Sequence, residues 1–153
     1  MADHRDAASA ALVLARRRIV IRAPLATIWR LHTDVTGWPR RHPEVREVTG
    51  APVLAEGTSF GLRPAGLDIT STVLDVKPMQ QTRWVGRVDG ITGNHLWVFR
   101  SHDLGVLVDT LVSWDGDPIR ADVDGMQELL DTTLLTWLNR LKAAAEDCPL
   151  ETT

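Results

Sequence analysis

One stretch near the C-terminus decides most of what this chain can fold into. From Asp122 to Glu146, Met126, Leu129, Leu130, Leu134, Trp137, Leu138 and Leu141 recur at steps of three and four. Gln127, Glu128, Asp131, Thr132, Asn139, Arg140 and Lys142 fall mainly on the other side. That spacing predicts one long helix with a broad apolar stripe. Asp124, with Gln127 three residues on, suits an N-terminal cap, and Pro149 follows the end. At about 1.5 Å of rise per residue the helix is roughly 37 Å long. Its stripe needs one large apolar surface to lie on.

The preceding segment supplies that surface as strands. Leu12 to Ala23 reads as the first, with Ile19 and Ile21 on one face. Pro24 ends it and suits the first turn of a helix, in which Leu25, Ile28, Trp29 and His32 sit at helical spacing. Asp34 to Gly37 breaks that helix. Trp38–Pro39 opens a second short one, which His42–Pro43 closes. Val45 to Val53 reads as a strand. Alternation then marks Phe60 and Leu62; Ile69, Ser71 and Val73; Thr82, Trp84, Gly86 and Val88; His95, Trp97 and Phe99; and Val106, Val108, Thr110, Val112 and Trp114. Turn residues such as Asp89–Gly90 and Asp103 to Gly105 separate the runs, which implies antiparallel pairing. The predicted class is α+β, a helix-grip fold. About seven antiparallel strands form a curved sheet, two short helices follow the first strand, and the long C-terminal helix lies over a central cavity. Residues 1–10 read as a flexible lead-in, 11–147 as a single ligand-binding domain and 148–153 as a tail.

Composition narrows the function. With 17 basic and 20 acidic residues the net charge is −3, so nothing points to nucleic acid as a partner. The basic run Arg16, Arg17 and Arg18 falls in a strand and reads as a solvated edge. No apolar run reaches the roughly 20 residues of a membrane span. Cys148 is the single cysteine, so no intrachain disulfide is possible, and a cytoplasmic location is the default. No metal site is expected: His32, His42, His95 and His102 lack ligand spacing with a Cys or carboxylate. A monomer or a homodimer fits equally well.

Particular residues carry a resemblance. Ile-Val-Ile-Arg-Ala-Pro (19–24), Ile-Trp (28–29), Thr-Asp-Val (33–35) and Trp-Pro (38–39) resemble the opening of the START-like, Bet v 1-like (SRPBCC) superfamily. Within it they are similar to bacterial polyketide cyclase/dehydrase and lipid-transport proteins. Trp84-Val-Gly86, Gly90-Ile-Thr-Gly93 with His95, Trp97 and Phe99, Ser-Trp-Asp-Gly (113–116), Trp137-Leu and Leu141-Lys continue it over residues 16 to 146. The chain departs from the pattern at Arg41, where relatives often carry an aromatic residue. It departs at Leu111 and Val112, where they often carry acidic ones, and it has no Tyr. The resemblance implies a pocket for an apolar or aromatic small molecule. It further implies a cyclase or dehydrase that folds such an intermediate and needs no cofactor, or else a non-catalytic carrier with the same pocket.

The candidate site residues follow from the strand faces. His95 shares a face with Trp97 and Phe99 and is the candidate proton-transfer group, against the alternative of a core His bonded to backbone. The expected pocket wall is Trp29 and Trp38 from the short helices, Phe60, Leu62, Ser71, Val73, Trp84, Val108, Thr110 and Val112 from the strands, and Leu129, Thr133 and Trp137 from the long helix. Trp38 is the candidate gate and Trp29 reads as core. Ser71, Thr110 and Thr133 are polar residues on apolar faces, able to orient an oxygenated ligand or to bond locally to backbone. Arg63, Arg83, Arg87 and Arg100 alternate with apolar residues and are expected in solvent, unless a bulge turns one inward.

Overall fold

The computed structural model describes residues 13–64 and 67–148. Its elements are β1 (Val13–Ile21), α1 (Leu25–Thr33), a 3-10 turn (Val35–Gly37), α2 (Trp38–Arg41), β2 (Val45–Gly50) and β3 (Ser59–Pro64). β4 (Ile69–Lys77), β5 (Gln81–Val88), β6 (Ile91–His102), β7 (Gly105–Asp115), α3 (Asp117–Arg120) and α4 (Val123–Asp147) complete the chain. The expected lead-in (residues 1–10) and most of the expected tail (149–153) lie outside the described residues. The strands form one seven-stranded antiparallel sheet in the order β1-β7-β6-β5-β4-β3-β2. The first strand therefore docks beside the last, β2 forms the far edge, and the curved sheet grips α4.

Local chemistry explains the joints. Asp89 (φ 41°) and Gly90 (φ 81°) both adopt positive φ between Val88 and Ile91, as a tight two-residue hairpin requires. Gly116 (φ 131°) links β7 to α3, where a Cβ would sit 2.0 Å from the Gly90 carbonyl oxygen. The strand expected over Val45 to Val53 ends at Gly50, whose φ of 86° leaves the extended region. Val53 keeps only an isolated bridge to Asp34.

The long helix is capped slightly earlier than its sequence pattern suggests. Asp122, not Asp124, is the N-cap, and its carboxylate accepts from Gly125 N at 3.1 Å. Gln127 does not serve the cap. Its amide donates to the Leu14 carbonyl at 2.8 Å and ties α4 to the edge strand. The buried stripe is Leu130, Leu134, Leu138, Leu141 and Ala145. Leu129 is 52% exposed, which corrects its assignment to the pocket wall. At about 100° per residue Leu129 lies about 140° from the centre of that stripe.

Two apolar clusters fill the space under α4. One is aliphatic and gathers Val13, Ala15, Val112, Ile119, Leu130 and Leu134 at the start of the helix. The other holds the aromatic residues and lies under its second half, with Ile28, Trp38, Phe60, Trp84, Trp97, Phe99, Leu138 and Leu141.

Candidate functional site

Two short helices bring polar groups into the aromatic cluster. α1 presents Ile28 and His32 inward, and the Thr33 hydroxyl closes its last turn on the Trp29 carbonyl at 2.8 Å. Asp34 leaves helical geometry, and α2 restarts with a proline in its first turn. His42 precedes Pro43 and leaves the helical region (φ −124°, ψ 81°), which ends α2. The fold between α1 and α2 is fastened by two side chains. Trp38 Nε1 donates to the His32 carbonyl at 3.1 Å, and Arg41 Nη2 donates to the Leu31 carbonyl at 2.7 Å. Both satisfy carbonyls left open at the end of α1.

Where this V meets the sheet and α4 lies a narrow crevice lined by His32, Trp38, Arg41, His42, Trp84, Trp97, Trp137 and Leu141. Its free volume is about 10 Å³, room for no more than one water. The roomy central cavity expected from the sequence is thus largely filled by indole rings. His32 sits at its centre, 4.9 Å from the Trp97 and Phe99 rings and 5.9 Å from Trp84. Trp38 meets Trp84, Phe60 and Trp137 at 5.4–5.9 Å.

The electrostatics are unusual for so apolar a place. His32 Nε2 lies 2.8 Å from the Thr82 hydroxyl, and both side chains are buried. Burial, with the nearby Arg41 charge, pushes the His32 pKa down to about 3, so the ring is neutral. His42 stacks on Trp137 at 3.6 Å. Arg140 Nη1 donates to His42 Nδ1 at 3.2 Å, so the neutral ring carries its proton on Nε2. The same guanidinium group bonds Glu44 Oε2 at 2.7 Å. Burial and the two arginines hold His42 at about 4 against the opposing pull of Glu44. Two buried donors in the crevice, Arg41 Nε and Trp97 Nε1, have no partner among the described residues. Each such orphan costs about 1–3 kcal/mol.

Of the residues singled out from the sequence, Trp38, Trp84, Trp97 and Trp137 border the crevice. Phe99, Trp29 and Phe60 support it from behind: Trp29 packs edge-on to Phe99 at 5.4 Å, and Phe60 meets Trp84 at 5.8 Å. His95 is on the inner face but one ring away, stacked on Trp84 at 5.2 Å, with burial lowering its pKa to about 4. Val73 and Val108 are core, and Leu62 packs at its margin. Val112 belongs to the aliphatic cluster. Ser71 is buried outside the crevice, Thr110 bonds the Leu96 carbonyl at 3.0 Å, and Thr133 is partly buried on the flank of α4. Arg63, Arg83, Arg87 and Arg100 all face solvent. The arginine that does enter is Arg41, where the sequence departs from the aromatic residue of the resembled pattern. The sequence reading sets His32 and His42 aside as metal ligands and takes Thr82 only as a strand position. The one signal for His32 is its place on the apolar stripe with Leu25, Ile28 and Trp29.

A larger cleft of about 160 Å³ lies between Arg22–Thr27 and the end of α4. Its main acid, Glu146, is already engaged by Arg22 N at 2.9 Å and by Lys142. It has less to offer a ligand than the crevice with its orphaned donors. No cluster of metal-ligating side chains occurs among the described residues, and none of their helices is long and apolar enough to cross a membrane.

Comparison with known proteins agrees with the architecture. The sequence model of the family described as polyketide cyclase / dehydrase and lipid transport matches residues 13–146. No curated protein matches the sequence. Among solved structures, a START superfamily protein from Mycobacterium smegmatis superposes with a TM-score of 0.69 at 14% identity, covering 87% of this chain and 97% of that one. Norcoclaurine synthase from Thalictrum flavum superposes at 0.70 and 8% identity, covering 89% and 94%. A protein of the dynemicin biosynthetic locus superposes at 0.68 and 20% identity over 88% of this chain, which spans only 47% of that longer protein. At these identities the superpositions establish the helix-grip fold.

Proposed function

The chain belongs to the polyketide cyclase / dehydrase and lipid transport family, and from that premise we propose that it is a cofactor-independent cyclase or dehydrase acting on an oxygenated aromatic or polyketide-like intermediate. The observation that carries this reading is a neutral histidine inside an aromatic crevice: His32, hydrogen-bonded to Thr82 and ringed by Trp84, Trp97 and Phe99. A carrier needs only dry walls. A cyclase needs stacking surfaces to hold a folded chain and a group that moves a proton within them. Orientation of that kind is worth up to about 7–11 kcal/mol, and a placed proton-transfer group about 10²–10⁴-fold. The proton-transfer role passes from His95 to His32, because His32 borders the crevice and His95 does not.

The crevice has room for one water, so a larger ligand enters only if rings move. Trp84 and Trp97 stand on paired strands, whereas Trp38 stands on a four-residue helix. Trp38 with α2 is therefore the gate. The second reading, a carrier or sequestering protein, is favoured by one fact. At pKa values of about 3 and about 4 the histidines are weak bases at neutral pH. A bound anion would raise them.

Titration of tryptophan fluorescence against oxygenated polycyclic aromatics and fatty acids, with mass spectrometry of the small molecules, tests both readings. A product of changed mass, lost in His32→Phe while binding persists, is expected. Tight binding of apolar chains with no mass change would leave the carrier. Full turnover in His32→Phe would remove the role given to His32.

A further inference from the structure

We propose that the crevice recognises a ligand through one carbon-borne anionic oxygen, a carboxylate, held between Arg41 Nε and Trp97 Nε1. This deepens the reading above and rests on the crevice being the binding site. The two donors belong to residues of different elements, α2 and β6, that line the same crevice. Both are buried and both lack an acceptor among the described residues. Trp97 is 4% exposed, so its N–H has no recourse to solvent. Arg41 is anchored at its other end by the Leu31 carbonyl, which leaves Nε aimed by a fixed fork. Among the described residues no carboxylate forms an ion pair with Arg41, and Asp34 and Cys148 act on it only from a distance. Arg140, the other arginine of this region, is matched by Glu44. The crevice thus holds one positive charge without an ion-pair partner.

Size and partners narrow the occupant. As the rings stand the gap of about 10 Å³ takes one oxygen atom, and its flat indole walls suit a planar carboxylate better than a tetrahedral phosphate or sulfate. His32 Nε2 is engaged by Thr82 and the His42 Nδ1 lone pair is taken by Arg140, so neither of these nitrogens is free to accept from Arg41. The remaining walls are indole rings, which suit an aromatic body attached to the carboxylate once Trp38 swings out. A neutral carbonyl would satisfy the donors and leave the charge unmatched. A carboxylate does both.

Isothermal titration of the purified protein at neutral pH with 2-naphthoate and with 2-naphthamide separates these outcomes, because the two probes differ in charge and hardly in shape. The acid should bind about 10- to 100-fold tighter than the amide. Arg41→Gln should abolish that preference, weakening the acid far more than the amide. Arg41→Lys, which keeps the charge and loses the fork, should retain part of it. Trp97→Phe should weaken both probes alike. Equal affinity for acid and amide in the wild type, or a preference that survives Arg41→Gln, overturns the proposal and leaves the crevice as a ligand site. Failure of both probes to bind removes the crevice reading together with the proposal.

Discussion

The two ends of α4 rest on different materials. Under its first turns the cluster of Val13, Ala15, Val112, Ile119, Leu130 and Leu134 is hydrocarbon. Under its second half the same helix lies over indole and imidazole rings, two neutral histidines, a buried guanidinium nitrogen without an acceptor and an indole N–H without one. Among the described residues the first end, with Trp114 packed at its margin, leaves no buried side-chain donor or acceptor unpaired. The second keeps unmet hydrogen-bonding capacity inside an apolar wall, which is costly for stability and useful only to a ligand. On the proposed reading, ligand recognition is confined to one end of the helix while both ends contribute core.

The largest effect that would test this division is a core truncation at the aliphatic end. Leu134→Ala should lower unfolding free energy by about 2–5 kcal/mol, read by denaturant titration. Its affinity for 2-naphthoate, measured where the variant is folded, should match the wild type. A matched loss of affinity would show that the two ends act as one.

Acid should attack the other end. His32 and His42 titrate near 6.5 when unfolded but at about 3 and about 4 when folded. Between those values the unfolded chain holds more protons, so stability is full above about pH 6.5 and falls as pH drops toward 4. A tenfold difference in proton affinity between the two states is worth about 1.4 kcal/mol, so the loss reaches a few kcal/mol. Thermal unfolding followed from neutral pH down to about pH 4 should show a steep slope in the wild type and in Leu134→Ala, and a shallower one in His32→Phe. A slope unchanged in His32→Phe would mean that the ring is already protonated or solvated.

The same division decides how much could be read from the sequence. Period-two runs mark every strand but β2, and the three-and-four spacing marks α4, because burial of one face imposes those periods on a sheet and a helix. The apolar stripe of α4 is narrower than its sequence implies: Leu129 is apolar yet points away, since hydrophobicity alone does not fix the centre of a helical face. The gathering at His32 could not be read, because it depends on how the V of α1 and α2 sits on β5 and β6. Thr82 is fifty positions from His32. Arg41 stands out as a departure from a resembled pattern, but its orphaned Nε exists only once the fold buries it. His95 draws the assignment through its strand face. A two-residue period tells inside from outside, not which inward residue meets the open space.

The smallest effect sharpens the comparison most cleanly. Asp122 caps α4 from outside both clusters, accepting from Gly125 N. Asp122→Ala should cost about 1 kcal/mol of stability by leaving helix-terminal N–H groups unpaired. Because the cap sits at the aliphatic end, far along the helix from Trp137 and Leu141, fraying there should stop before it reaches the crevice. Hydrogen exchange should therefore quicken only over the first turns of α4, while the acid-over-amide preference stays as in the wild type. If the preference fell with the cap, α4 would be transmitting disorder along its length. The aromatic end would then borrow its order from the aliphatic one rather than holding its unmet donors in place by its own packing.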